Sequence, residues 1–223
     1  MSGAVTIDPN TSGTMTLGTG SAVFAASTTI NVPQGQVTFN VLTSESGGGG
    51  WDLIKTGAGT SHFPAGSSTR TGNVYINAGI LSTASTTALG TAGTTFLGDS
   101  TGSNTAQLNI ATANNTRPLT VRSGSSGQKR LTRNSNNPQL SGTITLNDDL
   151  YLDTGNGAFT LTGTVTGVGT LHAVSSGGSI GISGATHSGW TGSITGDSSS
   201  CTVTLSGGAT GASGTAAIRS EER

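Results

Sequence analysis

Short runs that alternate threonine with an aliphatic or aromatic residue recur from one end of the chain to the other. The clearest are Thr14-Met15-Thr16-Leu17, Val37-Thr38-Phe39-Asn40-Val41, Thr143-Ile144-Thr145-Leu146, Phe159-Thr160-Leu161-Thr162 and Thr202-Val203-Thr204-Leu205. Each is closed by Gly, Asn or Ser. Alternation puts every second side chain on one face, so each run reads as a half-buried strand. Many short strands separated by turn residues point to an all-β protein. Their repetition favours a stack of similar coils over a sandwich.

Composition agrees with tight coils. Hydrophobic residues make up 31% and charged residues 9% of the chain, too little charge for ordinary solvated disorder. The 37 glycines, with Ser, Thr and Asn, suit corners where short side chains and positive φ are needed. The net charge of −1 gives no global field toward nucleic acid or an anionic membrane. No apolar run is long enough for a membrane helix, and the start, from Met1 to Val5, predicts no signal peptide. The single cysteine, Cys201, reads as a small buried hydrophobe inside a strand.

Along the chain, residues 1–46 read as an N-terminal β-rich region or cap, which is one way to place a small separate β unit. Gly47–Gly50 is either a domain joint or a wide corner of the same coil. Residues 47–217 read as the β-solenoid, and 218–223 as a charged, disordered tail. Asp52–Gly59 and Thr170–Gly177 look like corresponding segments far apart in sequence. Helix signals are poor, and the best candidate, Ser82–Leu89, reads as loop. Residues 111–139 hold Arg117, Arg122, Lys129, Arg130 and Arg133 among many Asn and Ser, and read as a protruding loop or irregular coil. Leu53, Ile76, Leu146, Leu161, Leu171 and Leu205 are expected to point inward.

Four stretches carry a family resemblance: Leu53–Thr60, Val74–Leu81, Thr87-Ala88-Leu89-Gly90 and Phe159–Leu171. Together they resemble the autotransporter-associated β-strand repeat, over roughly residues 51–205. The resemblance implies a right-handed parallel β-helix, of the kind found in exported bacterial passenger domains, with similar coils in phage fibres. It implies architecture and no particular chemistry.

The residues that could carry chemistry are few. Asp148, Asp149 and Asp153 form the only carboxylate cluster, and they read as turn residues around Leu150-Tyr151-Leu152. Residues 47–54 fit one copy of the calcium nonapeptide pattern, but such cages need successive copies. His62, His172 and His187 lack the paired spacing of zinc ligands. No nucleophile elbow or phosphate loop occurs. Trp51 and Trp190 read as core plugs, with sugar-stacking platforms as the alternative.

No catalytic residue, metal or cofactor is therefore expected, and no enzyme. The expectation is a structural surface protein: a phage head decoration or fibre at the virion surface. The alternative is a piece of an exported autotransporter-type passenger acting as an adhesin, at the bacterial surface or secreted. The expected partners are further copies of the chain or a larger protein scaffold, with surface glycans as a second class. Arg117, Arg122, Lys129, Arg130 and Arg133 are the expected contact residues. Without aromatic residues beside them, nucleic acid is not an expected partner, and membrane insertion is not expected either.

Overall fold

The computed structural model describes residues 3–8, 13–66, 68–111, 114–134, 136–174, 177–184, 187, 189–197, 201–207 and 218–220. It is all-β, and its strands stack in parallel as a β-solenoid of about eight turns. The first sheet contains β1 (Gly3–Thr6), β4 (Thr28–Asn31), β7 (Leu53–Thr56), β9 (Val74–Ile76), β11 (Thr95–Leu97), β13 (Leu119–Val121), β16 (Ile144–Leu146) and β19 (Val165–Gly167). The second contains β2 (Thr14–Leu17), β5 (Gln36–Phe39), β8 (Thr60–Phe63), β10 (Gly79–Thr83), β12 (Ala106–Ile110), β14 (Lys129–Arg133), β17 (Leu150–Asp153), β20 (Leu171–Ala173), β22 (Ile194–Gly196) and β24 (Ile218–Ser220).

The third side is broken. Near the N-terminus it is the pair β3 (Ser21–Phe24) and β6 (Leu42–Glu45). It resumes as β15 (Gln139–Leu140), β18 (Ala158–Leu161), β21 (Ser179–Gly184) and β23 (Thr202–Gly207). The turns between β6 and β15 carry no strand on this side among the described residues.

The alternation is realised as expected. In the first sheet Ile30, Lys55, Ile76, Leu97, Val121 and Leu146 lie in register one above another, and all are buried. In the third sheet Leu140, Leu161, Ile182 and Leu205 form the same kind of column. Leu53, Ile76, Leu146, Leu161 and Leu171 are buried in the core. Leu205 continues its column but belongs to the last strand of the sheet, and it is 43% exposed.

Corners are set by glycine. Gly79, between the first and second sheets, has φ of +68°, and a Cβ there would lie 2.3 Å from the carbonyl oxygen of Gly57 one turn earlier. Any side chain would therefore meet both strain and a backbone wall.

Several expectations are corrected. The basic stretch is not a loop: it contributes β13 and β14, because Lys129 and Leu131 alternate inward as any strand of this solenoid requires. Asp52–Gly59 and Thr170–Gly177 are not equivalent copies, since Leu53 lies in the first sheet and Leu171 in the second. The repeat is instead one turn, 25 residues from Thr6 to Asn31 and 21 from Asp52 to Asn73. Ser82 and Thr83 complete β10, and only the residues after them turn. Ile218–Ser220, placed in the tail by sequence, form β24 in register with β22. At Gly47–Gly50 the ladders run on: β4 pairs with β7, and β5 with β8.

Because Leu161 is fully buried and Thr160 faces outward, Leu161→Ala is expected to cost about 2–5 kcal/mol. Thr160→Ala should stay within about 0.5 kcal/mol. Chemical denaturation of the two variants checks the face assignment, and equal losses would contradict it.

Candidate functional site

The outer face of the second sheet collects the polar chemistry. Register places Gln107, Arg130, Tyr151, His172 and Thr195 in one outward row on successive turns. The Tyr151 and His172 rings stack at 4.4 Å, 12° from parallel. His172 Nδ1 lies 3.1 and 3.2 Å from the two Asp197 oxygens and 3.1 Å from Thr195 Oγ1. Its Nε2 is 3.5 Å from Asp149 Oδ2. One imidazole thus sits between carboxylates from the turns before and after it. Burial, reinforced by Asp149 and Asp197, pushes the Tyr151 phenol up, so it stays protonated at neutral pH.

Asp148 and Asp149 are also turn residues, as read from sequence, whereas Asp153 ends β17. Asp148 Oδ1 accepts the Asp149 N–H, Asp149 Oδ1 accepts the Thr170 N–H, and Asp153 Oδ1 accepts the Gly155 N–H. Asp148 Oδ2 pairs with Lys129 Nζ at 2.7 Å, and Asp153 Oδ2 with Arg130 at 3.3 Å. A hydrolytic triad needs a hydroxyl nucleophile on the free imidazole nitrogen. Here Thr195 shares Nδ1 with Asp197, and Nε2 faces a carboxylate. The geometry suits a clasp across three turns.

The five basic residues part company. Arg130 stays half-buried on the outer face, while Arg133, in register with the buried Ile110 at the end of β14, is half-buried and donates to the carbonyls of Asn136 and Thr154. Arg122 donates to Asn77 Oδ1 and the Gly98 carbonyl, 5.7 Å from the Tyr75 ring centre. Arg117 and Lys129 are buried. Neither of these two side chains is presented on the outer face of the solenoid. Sequence could not separate the five, because charge density along the chain does not reveal strand parity.

With Lys55 and Arg70 they form a set of four buried cations. Lys55 Nζ donates to the carbonyls of Thr56, Gly57 and Ala78 at 2.7, 2.7 and 3.1 Å. Arg117 donates to the carbonyls of Leu89, Ala92 and Gly72. Arg70 donates to Trp51 O at 2.7 Å and lies 4.8 Å over the Phe24 ring. Burial would raise Glu45, but hydrogen bonds from Gly72 and Thr71 and the nearby Arg70 hold it below its ordinary value. Burial pushes Arg117 down to about 10, with Arg70 adding repulsion, so it remains charged at neutral pH.

The remaining candidates are structural. Trp190 is buried and donates to Gly169 O at 2.9 Å, and Trp51 packs half-buried against the core. His187 Nδ1 accepts the Val165 N–H, and burial lowers its pKa, so the ring is neutral. His62 is likewise lowered by burial and meets Ser82 Oγ at 3.1 Å. Cys201 packs half-buried against the core. Among the described residues no group of three His, Cys, Asp or Glu side chains is placed to hold a metal ion.

The missed group is Asp149, His172 and Asp197. Their spacing is close to one turn, 25 residues from His172 to Asp197. That signal becomes legible only once the turn length is known. No family model, no curated protein and no solved structure matches this chain.

Burial pushes the Lys55 ammonium down to about 7 from 10.5. Between these values the unfolded chain holds a proton that the folded chain has lost, so stability rises with pH across that window. Below pH 7 the cost of burying the charge is carried in full. The gain is at most about 1.4 kcal/mol per pH unit. Urea titrations from pH 7 to 10 should show this slope in the wild type and lose it in Lys55→Met. The same slope in both would place the titration elsewhere.

Proposed function

We propose that this chain is a non-enzymatic structural surface protein that assembles through the ends of its solenoid, as a component of a phage virion. The carrying observation is at the first turns. Met15 lies in register on Val37, which is fully buried, yet Met15 itself is 38% exposed. The inward column reaches the end of the stack without a cover from the described residues. On the same turns Val23 and Leu42 face outward from the third side and are also exposed. At the other end Leu205 sits over the fully buried Ile182 in the same condition.

A parallel ladder that stops also leaves one edge of its last strand without a neighbour, which invites another chain. Solenoids remain apart in solution when their terminal turns present a polar surface. These turns present apolar side chains instead, on a chain with little charge to keep copies apart. Association with a further copy or a scaffold subunit would cover these side chains, and it suits a part built into a particle.

The alternative is a piece of an exported passenger acting as an adhesin, with its ends covered by further coils of a longer protein. No helix among the described residues is long and apolar enough to cross a membrane.

Sedimentation over a range of concentrations tests the assembly. The wild type is expected to associate, and Met15→Glu with Val23→Glu to remain monomeric with a similar unfolding midpoint. A wild type that stays monomeric throughout, and binds no particle component, would overturn the assembly reading and favour the adhesin.

A further inference from the structure

On the side where strands are missing between β6 and β15, a cleft of about 320 Å³ is lined by Thr86, Thr87, Thr91, Asn114, Thr116 and Arg117. Arg117 is 8% exposed. Three carbonyls hold its terminal nitrogens, but its Nε is buried without a hydrogen-bond partner among the described residues. Arg70, close enough to repel it, has Nε and Nη1 in the same condition. Among the described residues, neither arginine has a carboxylate within ion-pair distance. A desolvated guanidinium with donors to spare favours a planar oxyanion, which it can meet through two parallel N–H groups.

The lining defines the rest of the ligand. The volume exceeds that of a single small ion and falls at the lower end of small-molecule sites. The wall carries four threonine hydroxyls and one amide, with no large aliphatic or aromatic side chain among the lining residues. Hydroxyls both donate and accept, as the ring hydroxyls of a sugar do. Asn114 Oδ1 accepts the Ser141 hydroxyl at 2.9 Å, which leaves its amide N–H groups to donate.

We infer that this cleft binds a monosaccharide acid of the uronic class, its carboxylate held by Arg117 and its hydroxyls by the threonines and Asn114. The inference is independent of assembly through the solenoid ends, since the cleft lies on the flank. Sequence grouped Arg117 with outward contact residues. The structure places it instead among the residues that line the cleft.

Equilibrium dialysis of the full chain against D-glucuronate, D-glucose and inorganic sulfate tests it. Glucuronate is expected to bind, with glucose and sulfate at least about tenfold weaker. Thr86→Val with Thr91→Val, both at exposed positions, should weaken glucuronate about tenfold while leaving the unfolding midpoint unchanged. Arg117→Lys keeps the charge but loses the fork, and should weaken it as much. If that variant does not fold, the threonine pair decides. No binding, equal binding of glucose, equal binding of sulfate (an ion site only), or an unchanged affinity in the threonine pair would each overturn the inference.

Discussion

A parallel solenoid stands on the backbone hydrogen bonds between one turn and the next, and every buried carbonyl must find a donor. Where the first and second sheets run, the ladder supplies it. Where the third side loses its strands, the turns still enclose carbonyls, and side-chain cations take over. Arg117 reaches Gly72, Leu89 and Ala92, while Arg70 reaches Trp51. Lys55 reaches three carbonyls at a corner, those of Thr56 at the end of β7 and of Gly57 and Ala78 outside the strands. The buried arginines and the broken sheet are one feature seen from two sides.

This explains what was legible in the sequence. Strand alternation has a period of two, and Leu53, Ile76, Leu146, Leu161 and Leu171 follow it into the core. The same rule sends Lys55 and Lys129 inward, since each occupies a position where its neighbours in register are Ile, Leu or Ala. Reading charge as exposure overrides that parity at Lys129, and Arg117 lies outside the strands, before β13, where no parity applies. Long aliphatic stems make such burial feasible when the head group finds carbonyls.

The site was hidden for a different reason. Turns of 21 and of 25 residues alternate irregularly, because corners such as Ser46–Gly48 and the turn after Thr83 differ in length. No fixed period therefore brings Asp149, His172 and Asp197 together on paper. Nor does sequence reveal a cleft, because it is created by the absence of a strand. Thr86, Asn114 and Arg117 meet there only because the third side is open.

Buried cations also address a hazard of repetition. Similar coils can pair one turn out of step at little cost, since aliphatic columns such as Ile76, Leu97 and Val121 are nearly interchangeable. A guanidinium is not interchangeable. Arg117 bonds to a carbonyl 45 residues earlier, and Arg122 bonds to Asn77 across the same interval, so each ties together turns that are not adjacent. A chain that slipped by one turn would leave these donors, and the carbonyls of Gly72 and Leu89, buried and unpaired. Breaking such a buried set costs far more than a misplaced methyl group. The charged interior therefore fixes the register of the middle turns, and with it the row of polar side chains on the outer face and the cleft beside it.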